Sequence, residues 1–147
     1  ETARLAVAEM GLPLTVQEED SFREIDYGPD ENKTEEVVIA RVGEDAIKLW
    51  NEKAIAPEGW LVDVPGLIKI WESWAEKVAA DYKNQTVMIV SSNGVIRFAP
   101  YITGDFEGFA KEHDIKVGTG CLCVFEKEDG KPWVCKEWNV KPAKFLE

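Results

Sequence analysis

Gln85-Thr-Val-Met-Ile-Val90, followed directly by Ser91-Ser-Asn-Gly94, is the stretch of sequence that decides the fold. A continuous run of apolar and β-branched residues is typical of a parallel strand that is buried on both faces. The polar turn leads into a short helix that extends to about Ile102. Ligands of α/β sheets bind beyond the carboxyl ends of strands, where the next helix presents free N–H groups to an anion. The stretch therefore predicts a phosphate-binding turn, although Ser92 or Asn93 capping the helix, with Gly94 permitting a tight turn, would give the same pattern.

Three further helices are predicted from periodicity and from their end signals. Residues Thr2 to Met10 favour a helix that Gly11 ends, and Thr34 can cap a second helix that runs to about Lys53 with a break near Gly43. A third helix, from about Gly66 to Tyr82, has apolar residues spaced at i, i+3, i+4, i+7 and i+11. Two members of that apolar face, Trp71 and Trp74, are expected in the core.

A hairpin is predicted near the C-terminus, where two β-type runs, Cys121–Phe125 and Trp133–Trp138, flank Asp129-Gly130. Asp-Gly is the usual type I′ turn, and a two-residue loop would place Cys135 opposite Val124. A short strand is also expected at Leu14-Thr-Val16. Crossover helices, a buried strand and a hairpin together predict an α/β fold with a mixed sheet.

Composition narrows the class of protein. The chain has 147 residues, 45% of them hydrophobic, which suits one globular domain over residues 1–147. A net charge of −11 is unfavourable for nucleic acid, and no apolar run approaches the roughly 18 residues that span a bilayer. Three cysteines and one histidine do not indicate a disulfide framework or a zinc site, so a reducing cytoplasm is the expected location. Glu1 is not expected to be a translation start, and no signal-like segment follows it.

A second candidate site is the loop from Phe22 to Lys33, which also contains Glu24, Asp26 and Tyr27. A carboxylic acid buried there among apolar neighbours would have a raised pKa and could act as a general acid. In so acidic a chain, a loop carboxylate is more often simply solvated. The polar stretch around His113 indicates a surface histidine.

These segments together carry a family resemblance. The stretch from Val87 to Arg97 resembles the V-x-x-V-S-H-G-G-x-I-R segment of the histidine phosphatase superfamily, the phosphoglycerate-mutase-like group. Upstream, Phe22 to Gly28 is similar to that family's L-x-E-x-x-Y/F-G, and Asn32 to Glu35 with Gly43 to Trp50 resembles its mutase branch. Glu1-Thr-Ala3 resembles the end of the family helix S-x-L-x-R-A-x-Q-T-A.

The resemblance implies a three-layer α/β/α fold with a mixed, mainly parallel sheet, a C-terminal hairpin, and first strands that would lie before Glu1. It also implies phosphoryl transfer onto the histidine of an R-H-G motif, with no cofactor and with a small phosphorylated substrate. The 147 residues contain no R-H-G. The family's acid corresponds to Glu24 and its second histidine to Ser92, with Asn93 and Gly94 against the phosphate; Tyr27 and Lys33 correspond to substrate contacts.

Two functions are left open by this comparison of motifs. One is a phosphomonoester hydrolase, or a mutase-like phosphoryl transferase, whose nucleophile lies outside this chain. The other is a non-catalytic phosphate-binding or interaction protein, because Ser92 stands where the family has a histidine. An imidazolium contributes about 1.5–3 kcal/mol to a charge-assisted hydrogen bond, and a hydroxyl contributes less. Absent first strands would leave sheet edges unpaired, so a homodimer or strand-swapped dimer is expected.

Overall fold

A computed structural model describes residues 1–145 of the chain. Its longer elements, in chain order, are α1 (Thr2–Met10), α2 (Glu35–Val42), α3 (Glu44–Lys53), α4 (Val64–Asp81), α5 (Asn93–Ile96), α6 (Phe106–Glu112), β1 (Leu122–Lys127) and β2 (Trp133–Val140). Short 3-10 turns lie at Asp20–Phe22, Gly28–Asp30, Ala99–Thr103 and Pro142–Phe145.

Helices α1 to α4 begin and end close to the predicted residues, whereas α5 ends at Ile96 and not near Ile102, where a separate 3-10 turn lies. Gly11 adopts a left-handed conformation (φ 63°) and ends α1, as expected of a C-terminal glycine. Gly43 separates α2 from α3 with φ 87°, a region that favours glycine. The side chain of Asp63 accepts a hydrogen bond from the Gly66 N–H at 3.0 Å and so caps the start of α4.

The core forms where α4 packs against the chain that follows Gly94. Trp71 is buried on α4, and its indole N–H donates to the Val95 carbonyl at 3.0 Å. Phe22 lies edge-on to Trp71, with ring centroids 4.8 Å apart. The predicted packing of Trp71 and Trp74 is confirmed, since Trp71 lies in the buried core and the half-buried Trp74 packs against it.

The predicted central strand is not formed within the described residues. Thr86–Val90 has no assigned secondary structure and pairs with no strand. Its side chains alternate between exposed and half-buried, as in an extended segment, and Met88 and Val90 are 47% and 41% exposed. The predicted strands at Gln85–Val90 and Leu14–Val16 are therefore not observed in residues 1–145, because a β-ladder needs a neighbouring backbone. The one sheet in residues 1–145 is the antiparallel pair β1–β2, so the chain combines helices with a hairpin and does not show a three-layer parallel sheet.

The hairpin is confirmed, but its register is not the predicted one. Residues 128–132 form the connection, and Cys135 lies opposite Phe125 rather than Val124. Irregular pairing near Val124 shifts the register further along the strands. The longer loop is the reason, because it gains one residue before Asp129-Gly130 and two after it, which moves every cross-strand pair by one position. The three cysteines, Cys121, Cys123 and Cys135, are free thiols, and burial raises the pKa of Cys135 to about 11.

Among residues 1–145, the helices are all too short or too polar to traverse a bilayer.

Candidate functional site

The end of the extended segment and the Phe22–Lys33 loop lie side by side. The Ser91 hydroxyl donates to the Phe22 carbonyl at 2.6 Å, which joins the two segments. Three residues farther along, Gly94 is buried, and a Cβ built on it would lie 2.5 Å from Glu24 Oε1 and 3.0 Å from the Tyr27 hydroxyl. Three of the sequence-predicted site residues, Glu24, Tyr27 and Gly94, are thus in one cluster.

Glu24 supplies the carboxylate of this cluster. Its Oε1 accepts the Ile25 N–H at 3.0 Å and is 3.4 Å from the Tyr27 hydroxyl. The side chain is exposed, which agrees with the prediction that a loop carboxylate in so acidic a chain is solvated, and the alternative of a buried acid is not observed. Ile25, the next residue, takes the buried position instead, because neighbouring side chains in an extended segment point to opposite sides. The carboxylate is held in place at one oxygen and remains open to solvent.

Tyr27 bridges Glu24 and the aromatic core. Its ring meets Trp60 edge-on, with centroids 4.7 Å apart, while its hydroxyl faces Glu24. Burial and the neighbouring Glu24 carboxylate raise the pKa of Tyr27 to about 12, against a smaller lowering by Arg97. The phenol therefore keeps its proton at neutral pH and acts as a hydrogen-bond donor.

Ser92 and Asn93 have different surroundings, although they are adjacent in sequence. Ser92 stands at the N-cap position of α5, but its side chain makes no capping hydrogen bond, and its buried Oγ has no partner among the described residues. The simple capping explanation of Ser92 therefore fails. Asn93 has a structural contact, because its Oδ1 accepts the Val117 N–H at 2.9 Å.

Arg97 ends the candidate segment that begins at Ser91, but no role was predicted for it from the sequence. Its side chain is almost fully buried, its guanidinium stacks 3.9 Å from the Trp50 ring centroid, and its Nη1 donates to the Trp50 carbonyl at 2.7 Å. Burial lowers the pKa of Arg97 to about 10, and Tyr27, Asp114 and Glu24 oppose that shift. At neutral pH Arg97 therefore places a positive charge beneath the cluster. The available signal was the arginine that ends the Val87–Arg97 segment on which the family resemblance rests.

Lys33 and His113 lie outside the cluster. Lys33 is exposed, and its charge helps to lower the pKa of Asp30 on the far side of the loop. His113 is exposed, as predicted, and packs on Phe109 with ring centroids 4.5 Å apart. It lines a cavity of about 1090 Å³ between α3 and α6 that none of the predicted site residues reaches. In the described part of the chain, no group of His, Cys, Asp and Glu side chains is arranged to hold a metal ion.

Comparison with known proteins gives one match. A family model described as the histidine phosphatase superfamily (branch 1) matches residues 1–141, which include every residue of the cluster. Neither the curated proteins nor the solved structures gave a match.

Proposed function

The chain belongs to the histidine phosphatase superfamily, and we propose that it forms the proton-donor side of a phosphomonoester site. Membership supports phosphatase or mutase-like chemistry in general. The finer proposal is hydrolysis of a small phosphomonoester, or its mutase-like transfer, through a phosphohistidine in the full-length protein. A nucleophile that accepts the phosphoryl group divides one displacement into two easier steps.

One observation carries this proposal: Glu24, Tyr27 and Gly94 converge where the extended segment ends. A general acid must reach the leaving oxygen, and the Glu24 carboxyl is held at one oxygen and open to solvent on its other side. Gly94 has no side chain, which allows the Glu24 carboxylate to approach the start of α5. The Tyr27 hydroxyl donates a long hydrogen bond of 3.4 Å to Glu24 Oε1, and it would turn from Glu24 to donate to a substrate oxygen.

Ser92 contributes the second argument. A buried hydroxyl without a partner loses hydration without compensation, so a ligand that accepts its hydrogen bond is favoured. A phosphoryl oxygen is such an acceptor, and the family's second histidine corresponds to this position. We assign Asn93 a lesser part, through its backbone, because its side-chain oxygen is already bonded. Lys33 lies outside the cluster, and we assign it only a contact with a substrate large enough to reach it.

The chemistry of turnover is not supplied by these 147 residues. His113 is their one histidine, and it lies in an exposed, acidic stretch away from the cluster. We therefore expect the chain by itself to bind phosphate weakly and to leave phosphomonoesters intact. The three-layer sheet is part of the same proposal, with Thr86–Val90 becoming a central strand once neighbouring strands pair with it.

A second function is favoured by Ser92 alone. Replacing an imidazolium by a hydroxyl weakens the hold on the transferred phosphoryl group, which suits a protein that binds phosphate without turnover. In that case the same cluster would recognise a phosphorylated ligand, and Glu24 would have no kinetic role.

The test is to read the residues encoded before Glu1 and to assay the whole gene product on an aryl phosphate. An Arg-His-Gly followed by Ser-x-x-x-Arg, with turnover that depends on Glu24, supports the enzyme. Phosphate binding without turnover in the whole product supports the second function. A product that neither binds phosphate nor hydrolyses the ester contradicts both.

A further inference from the structure

We propose that Asp30 is a positioning residue for this site. Through Trp60 it fixes the ring of Tyr27, and through the Tyr27 hydroxyl it fixes the position of the Glu24 carboxylate. The importance of these two positions for catalysis rests on the proposed function. The positioning itself is a property of the free chain and can be tested without substrate.

Asp30 is a buried carboxylate with a full set of partners. Its side chain is 2% exposed, and Oδ1 accepts the Arg41 Nε–H at 2.7 Å. Oδ2 accepts a second Arg41 hydrogen bond, from Nη2, and the Trp60 indole N–H at 2.7 Å. These bonds lower the pKa of Asp30. A bidentate arginine fixes the plane of a carboxylate, and the remaining direction on Oδ2 then fixes the indole.

The backbone also holds the turn at Asp30 close to the segment at Trp60, and we call this contact the Asp30 junction. Gly28 and Gly59 approach so closely that a Cβ on Gly28 would collide with the Gly59 carbonyl oxygen. The Leu61 N–H donates to the Asp26 carbonyl at 2.9 Å, which forms an isolated antiparallel bridge. The Glu24 loop is thus joined on both sides of Tyr27 to the irregular segment after α3.

Contacts lead from Asp30 to Glu24 in three steps. The Asp30 carboxylate holds the Trp60 indole, Trp60 packs edge-on against Tyr27 at 4.7 Å, and the Tyr27 hydroxyl lies 3.4 Å from Glu24 Oε1. Trp60 also packs edge-on against Trp50, with ring centroids 5.3 Å apart. If the indole is released, the Tyr27 ring loses one wall, gains solvent and moves relative to Glu24.

The experiment measures ionisation of Tyr27 in the 147-residue chain. The charged or titratable groups that face Tyr27 are Glu24, Glu31 and Arg97, and none of them is altered. With its pKa at about 12, Tyr27 should be roughly one tenth ionised at pH 11, and a tyrosine with the ordinary value near 10 should be about nine tenths ionised. Ultraviolet difference spectra give the phenolate fraction, and Tyr27→Phe identifies its contribution.

Asp30→Ala should raise the ionised fraction of Tyr27 at pH 11 several-fold. Trp60→Phe, which keeps a ring but removes the indole N–H, should change it in the same direction by less. Asp30→Asn keeps an acceptor for Trp60 and should restore most of the original value. Circular dichroism at pH 11 identifies folded variants, and Trp60→Phe against Asp30→Asn decides the question if Asp30→Ala does not fold.

The matched control is Asp63→Ala, which removes the cap of α4 but leaves the Asp30 junction intact. Unchanged ionisation of Tyr27 in folded Asp30→Ala and in Trp60→Phe would overturn the proposal. An equal change in Asp63→Ala would do the same, because it would show a general loosening of the fold. Failure of the proposed function would appear separately, as absence of phosphate binding in a chain whose Tyr27 still responds to Asp30.

Discussion

Glu24 Oε1 occupies the space that a side chain on Gly94 would need, since a Cβ built there would lie 2.5 Å from it. The contact joins the only carboxylate of the cluster to the first turn of α5. Glycine is required here because of this close approach, and the absent side chain is what allows the acid to reach the end of the extended segment.

Gly94→Ala should therefore destabilise the chain. The new methyl would also meet Ile25 Cγ1 at 2.9 Å and the Tyr27 hydroxyl at 3.0 Å. Such overpacking lowers the free energy of unfolding by about 1–3 kcal/mol. The higher helix propensity of alanine offsets less than this amount in a four-residue helix. Urea denaturation measures the change.

A double-mutant cycle with Glu24→Ala shows whether the carboxylate is the obstacle. Glu24→Ala alone should have a small effect because the side chain is exposed. In combination it should recover part of the loss caused by Gly94→Ala. Strict additivity of the two changes would mean that Glu24 does not crowd Gly94.

The adjacent serines give a matched pair. Ser91→Ala removes a 2.6 Å hydrogen bond to the Phe22 carbonyl and should cost about 0.5–1.5 kcal/mol of stability. Ser92→Ala removes a buried hydroxyl that has no partner and should leave stability unchanged or slightly higher.

Phosphate binding should show the reverse order of effects for Ser91→Ala and Ser92→Ala. Ser92→Ala should weaken the binding of phosphate or vanadate, whereas Ser91→Ala should affect it little once the protein is folded. Ser92→His, in the whole gene product, should raise turnover by returning the family's imidazole. If neither Ser92 substitution changes affinity or rate, Ser92 has no part in the site.

Glu24→Gln should lower the turnover of an aryl phosphate by the whole gene product by about 10²–10⁴, the usual contribution of a general acid. Asp26→Asn is the control, because Asp26 is a nearby exposed acid whose oxygen accepts the Gly28 N–H and does not face Gly94. Steady-state kinetics on both variants measure the difference. Equal rates for wild type and Glu24→Gln would remove Glu24 from the mechanism.

The Asp30 junction should make stability depend on pH in acid. The folded pKa of Asp30 is lower than the ordinary 3.8, so the stabilisation is complete above that value and is lost as the pH falls through the folded pKa. Asp30→Asn lacks this component. The stability difference between wild type and Asp30→Asn should therefore be larger at pH 7 than at pH 3 in denaturant titrations, and a constant difference would be inconsistent with the assigned ion pair.

The motif-bearing parts of the site could be predicted from sequence, because they are local. The turn at Ser91–Gly94 and the loop at Glu24 and Tyr27 were identified from residue order, and the helices from periodicity and end signals. The exposure of Glu24 agrees with the expectation for a loop carboxylate, whereas the burial of Ile25 beside it could not be predicted in this way.

The remaining features depend on contacts between distant segments. Asp30 and Trp60 are 30 residues apart in sequence, and Arg97 and Trp50 are 47 apart. No local sequence pattern therefore predicts either contact. The predicted central strand failed for a related reason. An apolar β-branched run at Val87–Val90 sets the propensity for a strand, but pairing requires a partner, and residues 1–145 provide none.

Self-association through the unpaired segment is the expected consequence. Thr86–Val90 offers free backbone groups beside exposed Met88 and Val90, and such edges pair with another chain. Sedimentation should show a dimer, and Met88→Lys should weaken it more than Val124→Lys on the hairpin. A monomer of 16.5 kDa that unfolds cooperatively would contradict this prediction.

The most direct test of the proposed site is a titration of the 147-residue chain with inorganic phosphate, followed by amide NMR at constant ionic strength. The proposed site predicts saturable shifts concentrated at Ser92–Gly94 and at Glu24–Tyr27, and much smaller shifts in Ser92→Ala. Shifts that do not saturate, or that concentrate around His113 and the cavity between α3 and α6, would contradict it.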